Sequence, residues 1–123
     1  MTNWMGEDRM NISQGDIFWI SPDESSRITS DFSHPHVVIQ ENPSNTVVVC
    51  ALTSNLKRAK EPGNVLLDEC ESNLPKQSVV VVSQISTVAK TQLGEYVGTL
   101  TEQRINQVLA GIRFLQIMSQ HHK

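Results

Sequence analysis

Hydrophobic positions in this chain come in short, β-branched runs divided by polar punctuation. "GDIFWI" (residues 15–20) is aromatic and β-branched and predicts a first strand. "HVVIQ" (36–40) and "NTVVVCAL" (45–52), divided by the turn-like "ENPS", predict a hairpin. Their apolar residues are consecutive rather than alternating, so both strands should be covered on two faces. "NVLLDE" (64–69) and "SVVVVSQ" (78–84) add two strands around the turn "CESNLPKQ", and "STVAK" (86–90) and "EYVGTL" (95–100) a further short pair around "TQLG". Only the end has helical periodicity. Thr101 is placed to cap a helix over 102–119, with Ile105, Val108, Leu109, Ile112 and Leu115 on one buried face and Gln103, Arg104, Asn106 and Arg113 opposite. Six or seven strands and a terminal helix predict a mainly β domain, a small bent antiparallel sheet or barrel packed on that helix. No repeat or linker divides residues 1–123, and residues 1–13 read as a flexible N-terminal extension.

Composition narrows the function classes. With 38% hydrophobic residues and a mean hydropathy of −0.26, the chain reads as an ordinary globular protein. No run approaches the roughly 18 apolar residues that cross a bilayer. "MTNWMGEDRM" lacks the basic start of a signal peptide, so a cytoplasmic location with no membrane partner is expected. Cys50 and Cys70 form neither a disulfide framework nor a metal-ligand pattern, and Cys50, within "VVVCAL", reads as a buried reduced thiol. The formal charge of −3 argues against broad attraction to nucleic acid. "LKRAK" nevertheless gathers Lys57, Arg58 and Lys60, either a local anion site or a solvated turn.

Candidate chemistry starts at "DFSHPHVVIQ" (31–40), which sets two of the four histidines on either side of Pro35. In extended backbone His34 and His36 point to the same side, and Pro35 biases His34 towards that conformation. Imidazole titrates near 6.5, so such a pair can supply a base and an acid, or one ring for proton transfer and one for phosphate. The alternative for His36 is a bond to backbone at the start of a buried strand. The polar connection "SPDESSRITSDFSHP" before it carries Arg27, which would either close over a ligand or face solvent. Phe18 and Trp19 offer a stacking face for an unpaired base, or core. The terminal "HHK" is no evidence for a metal site.

In order and spacing, "GDIFW", "HPHVVI", "VVVCALTSN" and "LPKQSVVVVSQISTVAKTQLGEYVGTLTEQ" resemble the MazF/PemK family of toxin–antitoxin ribonucleases over about residues 14–117. The resemblance implies an SH3-like small barrel of antiparallel strands (CcdB/PemK-like) with a C-terminal helix, and a homodimer. It implies cleavage of single-stranded RNA at short sequences without a metal or other cofactor. It also implies a cognate antitoxin whose acidic C-terminal tail lies in the substrate groove. The family's second strand follows Thr-Arg-Pro with a catalytic arginine, and His34 stands at that position. Thr53 and Ser54 match the family's Thr-Ser pair, whose threonine lies beside the scissile phosphate.

The chain also departs from the family where many members have Asp-Gln-Ile-Arg-Thr. Here the residues are Ser83, Gln84, Ile85, Ser86 and Thr87, so the acidic and basic side chains are gone and Gln84 and Thr87 are kept. Metal-free RNA cleavage uses the 2′-OH against the adjacent phosphate and needs a base, an acid and donors to the phosphoryl oxygens. Arginine donates well to phosphate but is a poor proton donor, whereas histidine reverses those strengths. The resulting expectation is catalysis by His34 and Thr53, with His36, Ser54, Lys57, Arg58, Gln84 and Arg27 binding substrate. Two other classes stay open: a non-catalytic RNA- or protein-binding module on the same barrel, and a gyrase-poisoning toxin like those of the CcdB family.

Overall fold

The structure, a computed structural model, describes residues 11–21 and 34–121. Among the described residues, six strands run β1 (Asp16–Ile20), β2 (His34–Glu41), β3 (Thr46–Thr53), β4 (Val65–Leu66), β5 (Val79–Ala89) and β6 (Leu93–Thr99), followed by the helix α1 (Glu102–His121). Among the described residues they form one antiparallel sheet in the order β4-β5-β3-β2-β1-β6, with β4 and β6 as its end strands and no closure into a barrel. The mainly β fold with a C-terminal helix is therefore as expected. Arg27, most of the 21–35 connection and most of the 1–13 extension lie outside the described residues, although Ile12 is buried.

The consecutive valines explain themselves in three dimensions. Val37 joins a core with Ile17, Cys50, Leu52, Val80, Val82 and Val108, while its neighbour Val38 joins a second with Ile12, Ile20, Val47 and Val49. Successive strand residues point to opposite faces, so the two clusters lie on the two sides of the sheet. Helix α1 covers the first through Val108, with Ile105, Ile112 and Leu115 packed against it. The second core, away from the helix, is smaller.

Two expectations about the strands change. "STVAK" does not pair with "EYVGTL": it is the continuation of β5, which pairs with β3, whereas β6 pairs with β1. The sequence periodicity finds strands but carries no information about which ladder each one joins. β5 stays a single strand by bending. Between the Leu52–Val80 and Cys50–Ile85 pairs it gains three residues on β3, a bulge centred on 81–84 that turns the strand. "NVLLDE" contributes only Val65–Leu66 as strand, although Leu67 remains fully buried.

Arg104 is not on the solvent face of α1. Its Nε and Nη2 donate to the two carboxylate oxygens of Glu71 at 3.0 and 3.1 Å, and Asp68 lies 3.6 Å away. The loop it grips carries Cys70, Ser72 and Asn73 at positive φ, unfavourable for side chains other than glycine. Ser72 Oγ and Asn73 Nδ2 donate to the carbonyls of Thr99 and Val97, which tie that loop to β6. Thr101 caps α1 as expected, its Oγ1 accepting from Arg104 N at 3.2 Å.

Candidate functional site

The strand ladders bring three of the predicted residues, His34, His36 and Thr53, to one end of one face. β1 ends where β2 begins, with Ile20 paired to His34 and Phe18 to His36. His36 is in turn paired with Ala51, and β3 ends two residues further on at Thr53, level with His34 if that register continues. Paired residues and their i+2 neighbours share a face, so His34, His36, Ala51 and Thr53 all belong to the side of the second core. The site thus stands on the sheet face opposite the helix. The expectation that the two imidazoles share a side holds.

Their environments differ. His34 is exposed, whereas His36 is half-buried. His36 Nδ1 lies 2.9 Å from the His34 carbonyl oxygen, which can only accept, so Nδ1 carries the proton and donates. The other nitrogen of the neutral ring, Nε2, is then an acceptor. Burial lowers the His36 pKa below its usual value; the bond to the His34 carbonyl opposes that shift, and the charge of His34 adds to it. The neutral ring is favoured, and the backbone bond leaves Nε2 as an acceptor.

Thr53 closes an ST-turn, its Oγ1 accepting from Asn55 N at 3.1 Å. Accepting there leaves the hydroxyl proton available for another acceptor. Asn55 Oδ1 then accepts from Lys57 N at 3.2 Å and caps the 3-10 turn Leu56–Lys60, which holds the basic run. Ser54 and Lys57 are exposed at this exit, and among the described residues Lys57 makes no ion pair. Arg58 is committed elsewhere: its Nε lies 2.8 Å from Glu61 Oε2. That bond raises the Arg58 pKa and lowers the Glu61 pKa. Gln84 is exposed in the bend of β5, beyond Ala51.

Tyr96 was missed in the sequence. It pairs with Phe18, its ring meeting the Phe18 ring edge-on at 5.6 Å, and it is 53% exposed. Tyr96, Phe18 and His36 therefore form one row across β6, β1 and β2. The strand containing Tyr96 was legible, but the β6–β1 pairing that places it in this row was not.

A model of the PemK-like, MazF-like toxins of type II toxin–antitoxin systems matches residues 13–115. The chain belongs to this family. Among curated relatives, the endoribonuclease MazF6 of Mycobacterium tuberculosis is 36% identical over 109 residues, 85% of this chain and 96% of the relative. The endoribonuclease MazF of Staphylococcus saprophyticus is 31% identical over 103 residues, 79% and 84% of the two chains. Solved structures agree in fold. A mycobacterial endoribonuclease in complex with its cognate antitoxin superposes with a TM-score of 0.65 at 20% identity, over 82% of this chain and 90% of that one. MazF from Deinococcus radiodurans gives 0.65 at 16% identity, over 85% and 94%. In this MazF-like chain, the start of β2 carries His34 and His36 on either side of Pro35. No group of three or more His, Cys, Asp or Glu side chains is placed to hold a metal among the described residues.

Proposed function

We propose that the protein is the toxin of a toxin–antitoxin pair and an endoribonuclease that cleaves single-stranded RNA by attack of a 2′-OH on the adjacent phosphate, without a metal ion. The observation that carries this reading is the placement of His34, His36 and Thr53 on one face at one end of the sheet. Two imidazoles supply proton transfer, and the Thr53 hydroxyl donates to a phosphoryl oxygen. Lys57 attracts the phosphate backbone at the exit of β3, with Ser54 and Gln84 as polar contacts and Arg58 as a weaker contributor because of Glu61. Phe18 and Tyr96 present an aromatic edge beside His36 on which an unpaired base can stack. The relatives named as endoribonucleases support an enzyme over the binding-module and gyrase-poison alternatives. In the same reading the toxin is a cytoplasmic homodimer held in check by an antitoxin with an acidic tail that competes with RNA for this face, and Arg27 contributes to substrate binding.

The test is cleavage of a long single-stranded RNA in EDTA by wild type and His34→Ala, with the new ends mapped. Discrete cuts leaving 5′-hydroxyl ends and lost in the variant are expected. A well-folded wild type that leaves varied RNAs intact refutes the nuclease reading.

A further inference from the structure

The bond between His36 Nδ1 and the His34 carbonyl does more than anchor a ring. It fixes which nitrogen can take a proton. Because the carbonyl oxygen has no hydrogen to give, the neutral ring is held as the Nδ1–H tautomer with its lone pair on Nε2. Orienting a ring through its second nitrogen is a general way of preparing a histidine for proton transfer. Here the orienting group is main chain, two residues back, and needs no carboxylate. The two-residue link lies in β2, where Pro35 has its φ fixed by its ring.

We propose, resting on the nuclease reading above, that His36 is the general base of the reaction through Nε2, and that His34 is the acid. The 2′-O–P bond forms as the 2′-OH proton passes to His36 Nε2. The P–5′-O bond breaks as the His34 imidazolium gives its proton to the departing oxygen. The products are a 2′,3′-cyclic phosphate and a 5′-hydroxyl, and the two rings exchange protons with water before the next turnover. The asymmetry between the rings matches these roles. His34 is exposed, at the strand's first position, where solvent can reprotonate it. His36 is half-buried, and burial keeps it neutral and ready to accept. Its partners Phe18 on β1 and Ala51 on β3 do not titrate, and Tyr96 lies one strand further out. The charge of His34 is the one that reaches it, and a protonated His34 favours a neutral His36.

Three measurements test the assignment. His36→Asn keeps an amide donor near the Nδ1 position for the His34 carbonyl but offers no base. It should fold like wild type and cut roughly 10²–10⁴-fold more slowly, without the rising limb of kcat/KM below pH 6.5 expected in wild type. A substrate with sulfur in place of the 5′-bridging oxygen has a leaving group that needs no acid. It should restore cleavage by His34→Ala and leave His36→Asn slow. Independently of activity, the nitrogen–proton spectrum of the wild-type imidazoles should place the neutral-ring proton of His36 on Nδ1. A proton on Nε2, sulfur rescue of His36→Asn, or wild-type rates in that variant overturns the assignment while leaving a nuclease in place. Intact RNA with wild type overturns both.

Discussion

Asn64→Ala tests whether one side chain holds the bend of β5 and the basic turn together. Where β5 bulges away from β3, the Val82 N–H is taken by Asn64 Oδ1 at 3.0 Å. Asn64 Nδ2 donates in the other direction, to the Arg58 carbonyl at 2.9 Å and to Glu61 Oε1 at 3.2 Å. Truncation leaves the amide of a residue that is 2% exposed without this partner. A stranded buried donor costs about 1–3 kcal/mol, and loss of the bond to the Arg58 carbonyl adds about 0.5–1.5. The contact with Glu61 is exposed and adds little. The expected loss is roughly 2–4 kcal/mol; at about 4 °C per kcal/mol for a chain of this length, Tm should fall by roughly 8–16 °C. Urea unfolding gives the free energy, and amide exchange at Val82 gives the mechanism. Asn64→Asp keeps the acceptor and should keep Val82 protected even though it loses the donor. A loss under about 0.5 kcal/mol with Val82 still slow to exchange in Asn64→Ala would refute the reasoning.

The depressed pKa of His36 makes stability depend on pH in a defined direction. Between its folded pKa and 6.5 the unfolded chain binds more protons, so stability rises with pH; the contribution is present above 6.5 and is lost as pH falls towards the folded value. Urea titrations from pH 7.5 to 5 should show this loss in wild type and a flatter profile in His36→Asn, with the window kept above the range of Glu61. Charge reversal at Lys57 should weaken RNA binding and reduce its salt dependence by about one phosphate contact, whereas Arg58→Glu, already offset by Glu61, should change affinity less when both are measured across a salt series. Cys50 is fully buried, donates Sγ–H to the Val81 carbonyl at 3.1 Å and has its pKa pushed up to about 12. A thiol reagent at pH 8 should therefore label Cys70 rapidly and Cys50 only on unfolding.

Local signals were strong enough to read directly. The runs of valine and isoleucine marked β1, β2, β3 and the first half of β5, because a β-branched run both favours extended backbone and has to be buried. Thr101 and the spacing from Ile105 to Leu115 marked α1, since capping and a 3.6-residue face are properties of neighbours in the chain. Two-sided burial of β2 and β3 was legible for the same reason, as was the shared side of His34 and His36. Pairing was not. That β6 joins β1, bringing Tyr96 to Phe18 and into the row of His36, depends on which strands meet across long stretches of chain. Arg104 looked like a solvent-facing helix residue until the loop carrying Glu71 was seen folded onto it. Arg58 read as free charge until Glu61 was seen to take it. The proton on His36 was likewise decided by tertiary structure: the sequence placed two imidazoles near a proline, but only the ring's 2.9 Å approach to the His34 carbonyl sets the lone pair on Nε2. Composition and period describe what each segment prefers to bury, whereas charge pairing, tautomer and ladder order are set by whichever groups the completed fold brings within hydrogen-bond reach.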